Sequence, residues 1–508
     1  MLNKHISTPM NKLFPLPVLF LLIAGAVSAQ KSTLNVSLAG STAKACDIWI
    51  YNVAERFGQG LNGYLEIPLD KHKHFSHTFN FTKPQFVRLY CSSDTADSKH
   101  FYYNIFIRPG DDLSLKADFN KENNGITVTG RGSENNQSAI ASFADMEHQK
   151  FRGDTLPYRI IAAINKQQPI DKRTLDDYVS KYKPSDEFIK ASNYNLEYYP
   201  YKAYYSFKEN NKYQIGQAYD RNIAAWQKIQ DSLSSRVLLN NEDALVSFNY
   251  TELIGDFLQR EKERLWPVRF QEPETFFKQW YNVDVTQGTK LYDDENLFQE
   301  KIINKYFTGK CAEYLYAVLL QGAIGLNDPK NIVAIFNRYK KRYPADTWFS
   351  GAIDNIKKRE QRTLGVIFVA NNGTNLNAMK DVLALTKGKT VLLDMWGTWC
   401  APCREEIAQE GPLIKAYFKG KGLDYLYVAN FDLKNEGNWK KLIAYFDLEG
   451  THMLANARLT KDIMAKVKGT SYPTYVIIKK DGSYELSKAG YPMNREILIK
   501  QLEAALAQ

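Results

Sequence analysis

The run Trp396-Gly397-Thr398-Trp399-Cys400-Ala401-Pro402-Cys403 sets two thiols three positions apart. The nearly continuous apolar stretch Val391 to Trp396 before it suits a central parallel strand covered on both faces. A helix is expected after it, from about Ala401 to Phe418. Cys400 then stands at a helix N-terminus, where unpaired N–H groups and the macrodipole favour an anion. That placement favours the thiolate, the form that attacks disulfides. Cys403 lies one turn deeper and can attack a mixed disulfide formed by Cys400. The competing reading is half of a structural zinc site, which needs a second Cys or His pair at suitable spacing. Cys46, Cys91 and Cys311 are far away in sequence, and only His452 follows the motif. The pattern therefore points to reversible dithiol chemistry, with no metal or cofactor.

Two carboxylates could serve that chemistry. Asp394 interrupts the apolar strand, where a charge is costly unless neutralised or paired. Glu406 follows Cys403 by three residues and shares its helix face. Burial would raise either pKa toward neutrality and suit it to general acid/base work. Each has a plainer alternative: Glu406 as an exposed first-turn acid complementing the dipole, Asp394 as a buried acid satisfied by hydrogen bonds. Trp399 either shields the disulfide from water or simply packs.

Residues 363–508, with the motif W-G-T-W-C-x-P-C, resemble thioredoxin-fold disulfide reductases of the TlpA and ResA type. The resemblance implies catalytic roles for Cys400 and Cys403 as the redox disulfide, with Asp394 or Glu406 moving the proton of the inner cysteine. It also implies that Pro473, in Thr470-Ser471-Tyr472-Pro473-Thr474, is a cis-proline before an edge strand. Tyr472 and Pro473, with Trp399, would then hold an extended client by main-chain pairing. A membrane reductase is implied as electron donor. Ala401-Pro402 contains no His and does not resemble the strongly oxidising members, which favours a reductase.

The elements that position this motif occupy the last part of the chain. Val366 to Val369 reads as a short strand, Asn372-Gly373 as a hairpin signal, Tyr425 to Phe431 as a strand and Trp439 to Phe446 as a helix. Thr474 to Ile478 and Ser483 to Ser487 are expected strands joined at Asp481-Gly482, and Arg495 to Leu506 a closing helix. The predicted order is β, α, β, α, β, β, α.

Upstream, residues from about 31 to 132 alternate with period two, as in Leu34-Asn35-Val36-Ser37-Leu38, between turn signals such as Arg108-Pro109-Gly110-Asp111. This part resembles the small β domain found N-terminally in many exported thioredoxin-like proteins of Bacteroidota. Cys46 and Cys91 in it could pair, or stay buried free thiols, or serve one at a time as client for Cys400. Within the cluster His72, His74 and His77, His72 and His74 would share a strand face and could ligate a metal, or the cluster could line an exposed polar edge. From about 135 to 362, apolar residues recur at helical spacing, for example Ile223, Trp226, Ile229 and Leu233. Prolines are expected between the helices, and Cys311 reads as an inert buried thiol. The sequence leaves three roles open for this stretch: spacer, dimerisation surface or substrate platform.

Lys4 and Lys12, the apolar Leu13 to Val27 and the small residues Val27-Ser28-Ala29 form a signal-peptide pattern. No cysteine near the cleavage site invites a lipid. Export to the periplasm is expected, in an oxidising compartment where disulfides persist. The formal net charge of +10 does not imply nucleic acid, because the basic residues are interspersed with acids rather than gathered with aromatics. No Walker-type loop appears, and the cysteines do not follow a peroxidase-like Pro/Thr-rich loop.

The expected fold is multidomain α+β. A signal peptide over 1–29 precedes an N-terminal antiparallel β sandwich over 30–132. A helical region over 133–362 leads into a C-terminal thioredoxin-like α/β/α domain over 363–508. The expected activity is that of a protein-disulfide reductase or isomerase acting on disulfide-containing envelope proteins. The alternative is an envelope ligand- or protein-binding module in which the last domain is subordinate.

Overall fold

The computed structural model describes residues 30–58, 64–92, 100–121, 125–137, 156–289, 291, 294–344, 349–362 and 364–508. The signal-peptide pattern lies outside these residues.

Eight strands open the described chain: β1 (Ser32–Ala39), β2 (Ala45–Ile50), β3 (Leu65–Pro68), β4 (His74–Phe79), β5 (Gln85–Ser92), β6 (His100–Ile107), β7 (Asp112–Asp118) and β8 (Thr127–Arg131). They form two four-stranded sheets, β4-β1-β7-β8 and β3-β2-β5-β6. The alternation read in β1 is real: Leu34, Val36 and Leu38 face inward and share one apolar core with Ile48, Val87, Leu89 and Ile105 of the other sheet. The expectation of purely antiparallel pairing fails at β1 and β7, which run parallel. Distant segments can pair in either sense, whereas only a tight hairpin forces the antiparallel one.

Cys46 on β2 and Cys91 on β5 are joined by a disulfide inside this core. His74 and His77 lie on the edge strand β4. His72 precedes the strand, in a turn where Asp70 Oδ1 accepts the backbone N–H of both His72 and His74 at 2.8 Å.

The middle of the chain is helical. The stretches expected from periodicity fall in helices Ile223–Ser234, Gly309–Gly325 and Ile332–Arg342. The proline expectation needs correction, because Pro169 and Pro200 lie inside the long helices Pro157–Tyr182 and Asp186–Ile215. A proline costs an internal helix its hydrogen bond, but burial of aromatic residues such as Tyr199 and Tyr204 against Ile160 and Ile164 offsets that cost. Cys311 is buried in the Gly309–Gly325 helix, 3.3 Å from the Tyr250 hydroxyl, and burial pushes its thiol pKa up.

The last part holds a six-stranded sheet of order β14-β13-β10-β11-β12-β9. Its strands are β9 (Val366–Phe368), β10 (Thr390–Trp396), β11 (Leu423–Asn430), β12 (Gly450–Ala455), β13 (Thr474–Ile478) and β14 (Tyr484–Leu486). All seven residues of β10 are buried. Helices Met379–Leu385 and Ala457–Val467 cover one face, and helices Gly411–Phe418 and Arg495–Leu506 the other.

Four details differ from expectation. β12 and the Met379–Leu385 and Ala457–Val467 helices were not read from the sequence. Asn372-Gly373 is not a hairpin: a 3₁₀ turn over Ala370–Gly373 follows β9, which pairs parallel with β12. The helix after the motif is two helices, Ala401–Gln409 and Gly411–Phe418, the second with Pro412 in its first turn. β13 lies between β10 and β14 and is therefore not an edge strand.

One apolar core runs across the boundary between the helical region and this sheet. It joins Leu319, Leu320 and Ala323 to Trp396, Cys403, Trp439 and Leu442. The redox motif is thus packed against the helical region.

Candidate active site

β10 delivers the motif to the C-terminal edge of the sheet, where ligands and chemistry gather in open α/β folds. Cys400 is the N-cap of the Ala401–Gln409 helix, and the Cys403 backbone N–H donates to its sulfur at 3.2 Å. Cys400 and Cys403 form a disulfide with Cα atoms 5.3 Å apart. Both are buried, Cys403 completely.

The loop before Cys400 is held from several sides. Asp432 accepts the Thr398 N–H at 2.8 Å and its hydroxyl at 2.6 Å. The Trp399 indole donates to the Asn430 carbonyl at 2.9 Å. Asn430 in turn donates to the Trp396 carbonyl at 3.1 Å. Arg404, buried next to Cys403, donates to the Thr398 carbonyl. Gly397 is required here, because a Cβ would stand 2.3 Å from the Trp399 indole nitrogen.

Three aromatic side chains rim the disulfide loop. Trp399 is half exposed, with ring-centroid distances of 5.6 Å to Tyr472 and 5.9 Å to Phe431. Phe431 is 65% exposed and its backbone has φ 60°. A bulky side chain at positive φ marks a residue whose position the surroundings impose. The Tyr472–Pro473 peptide bond is cis, and Pro473 is buried.

Behind the disulfide, Asp394 lies on the β10 face that also carries Trp396, in register with Tyr427 on β11 and Tyr475 on β13. Burial, then the nearby Glu406 charge, raises the Asp394 pKa to about 7. Its Oδ1 is buried with no hydrogen-bond partner among the described residues. Glu406 is buried rather than exposed. Its Oε1 accepts the Met493 N–H at 2.9 Å, its Oε2 has no partner among the described residues, and burial raises its pKa. The two carboxylates and Lys415 line one cavity of about 40 Å³, large enough for water. Burial lowers the Lys415 pKa to about 8. Asp394 and Lys415 can hold and release protons near neutral pH.

Sequence reasoning missed Arg404, Phe431, Asp432 and Lys415. Phe431 and Asp432 follow β11 directly, at the same end of the sheet as Cys400, and that adjacency was a usable signal. His452 sits on β12, stacked on Tyr427 with centroids 4.9 Å apart, and burial lowers its pKa to about 4. Among the described residues, no three His, Cys, Asp or Glu side chains stand together as a metal site.

A disulfide at a helix N-terminus, on an α/β/α sheet, is the arrangement a thiol-disulfide oxidoreductase needs. The chain is 33% identical over 125 residues to the thioredoxin-like protein YneN of Bacillus subtilis, covering 24% of this chain and 69% of that one. It is 34% identical over 109 residues to the thiol-disulfide oxidoreductase ResA of Bacillus cereus, covering 22% of this chain and 60% of that one. The chain belongs to this family of thioredoxin-like thiol-disulfide oxidoreductases, through about a quarter of its length. A crystal structure of the thioredoxin domain of a thiol-disulfide oxidoreductase from Bacteroides vulgatus is also similar, at 23% identity and TM-score 0.21, over 24% of this chain and 84% of that one. No family model matches the chain.

Proposed function

We propose that the protein is an exported reductase or isomerase of disulfides in envelope proteins, working in the periplasm with Cys400 as nucleophile and Cys403 as resolving thiol. The observation that carries this reading is the Cys400–Cys403 disulfide at the N-terminus of the Ala401–Gln409 helix. In the reduced enzyme the Cys400 thiolate attacks a client disulfide, and one client thiolate leaves. Cys403 then loses its proton to Asp394 or Glu406 and attacks Cys400. The enzyme disulfide forms, and the second client thiol departs carrying the electron pair. Two electrons from a membrane reductase restore the dithiol. Trp399, Tyr472 and Pro473, joined by Phe431, form the surface that receives the client strand.

Export is supported by the basic, apolar and small-residue pattern of the first 29 residues. No helix among the described residues is long and apolar enough to cross a membrane. Domain boundaries near 132 and 362 are supported by the change from strands to helices after β8 and back to strands at β9.

The test is trapping. The Cys403→Ser protein, expressed in its native envelope with thiols alkylated on lysis, is expected to carry a defined set of proteins disulfide-linked to Cys400. An empty trap, together with no insulin reduction by the wild-type protein, would remove this reading.

A further inference from the structure

The helical region reaches the redox loop through one turn. Between helices Gly309–Gly325 and Ile332–Arg342 the chain runs from Leu326 to Asn331. This turn is firmly built. The Asp328 N–H returns to the Ala323 carbonyl at 2.8 Å. Asn296 donates to the carbonyls of Asp328 and Lys330, at 3.0 Å each, and Asn331 donates to Asp294. Asn327 and Asn331 take the left-handed backbone, which asparagine tolerates.

One charge of the turn meets a charge of the helix that begins at Cys400. Asp328 Oδ2 lies 3.9 Å from the Arg404 guanidinium, which is itself bonded to the Thr398 carbonyl. Lys330 acts through its charge on Asp432, which holds the Thr398 N–H and hydroxyl. The Tyr445 hydroxyl and Asn327 Oδ1, 3.4 Å apart, add a third contact. Arg404 is only 7% exposed in its side chain and Asp328 24%, so solvent screens this pair incompletely.

We propose that the Leu326–Asn331 turn is part of the redox centre: Asp328 is a positioning residue that offsets the charge Arg404 brings to the Thr398 carbonyl, two residues before Cys400, and holds the Cys400–Cys403 couple toward the reducing side. The inference rests on the redox reading above and extends it to the helical region. A cation beside a thiolate stabilises it, and a stabilised thiolate favours the dithiol over the disulfide. Asp328 weakens that effect of Arg404. Lys330 works in the opposite sense by weakening the negative charge of Asp432.

The experiment is a titration of the full-length protein in glutathione buffers at pH 7. The peptide carrying Cys400 and Cys403 is scored by differential alkylation and mass spectrometry, which separates it from Cys46–Cys91. In each turnover the protein disulfide and two glutathione thiols become the dithiol and glutathione disulfide, a two-electron exchange. Asp328→Asn is expected to shift the equilibrium toward the dithiol by about threefold, the scale of a partly screened ion pair. Lys330→Gln is expected to shift it toward the disulfide, and Asp328→Glu to stay at the wild-type value. Shifts of the same sign in Asp328→Asn and Lys330→Gln, or no shift in either, would overturn the proposal. If Asp328→Asn does not fold, judged by circular dichroism, Asp328→Ser takes its place, and a shift toward the disulfide or no shift overturns the proposal. A wild-type peptide that never exchanges with glutathione would sink the redox reading itself, an outcome distinct from wild-type exchange with unmoved variants.

Discussion

Asp394 is the buried carboxylate whose protonation can be followed through stability. An ordinary aspartate stands at 3.8, and burial raises this one to about 7. The folded state therefore holds the proton more tightly than the unfolded chain does. The stability this supplies is complete below about pH 4 and is lost as pH rises through about 7. Asp394→Asn, which keeps the shape without the charge, is expected to match the wild type near pH 4 and to exceed it near pH 8.5, by on the order of 2–4 kcal/mol. Urea unfolding at the two pH values checks this, and equal stability at both would remove the buried-charge account. The same variant is expected to resolve mixed disulfides more slowly if Asp394 rather than Glu406 takes the Cys403 proton. Cys400→Ser is expected to abolish insulin reduction. Residual turnover by that variant would move the nucleophile elsewhere.

The loop and helix that carry the cysteines are positioned by their neighbours. Gly397→Ala places a Cβ 2.3 Å from the Trp399 indole nitrogen, so Trp399 must leave its bond to the Asn430 carbonyl. Trp fluorescence is expected to change, and client reduction to fall by about threefold, the scale of a lost part-buried hydrogen bond. Phe431→Ala removes one aromatic of the rim. It is expected to raise KM for a protein disulfide by about threefold to tenfold, the scale of one aromatic contact, without changing kcat for glutathione disulfide. An equal loss with both substrates would place Phe431 in the catalytic step rather than in client binding. At this scale the sequence was legible where the signal is local. The alternation of β1, the apolar run of β10 and the dithiol spacing each come from neighbouring residues. The Ala457–Val467 helix went unread although Asn456 caps it, accepting the Arg458 and Leu459 N–H groups, and β12 is fixed by its pairing with β9 and β11. The break at Glu410 carries a local signal, the breaker pair Gly411-Pro412, that the reading as one helix passed over.

At the scale of the whole molecule, the Cys46–Cys91 disulfide closes a sequence separation of 45 residues. Chain-entropy arguments give such a loop about 4 kcal/mol of stabilisation. The Cys46→Ser, Cys91→Ser double variant is expected to lose stability on that order while retaining insulin reduction at 25 °C. Loss of reduction in a still-folded double variant would make this pair part of the electron path. The shared core that joins Leu319 and Ala323 to Trp396 and Trp439 makes the helical region a support for the redox loop.

The sequence by itself determined the dithiol, the strand that buries Asp394 and the helix that caps on Cys400. Each depends on residue type and short spacing, which backbone geometry converts directly into position. Tertiary structure decided the rest. The pairing of Cys46 with Cys91 and the parallel match of β1 with β7 join segments that no local rule relates. Whether Glu406 is exposed depended on Met493, 87 positions away, packing over it. The meeting of Asp328 with Arg404 joins two charges whose neighbours in sequence say nothing of each other, and only the folded chain brings them within reach.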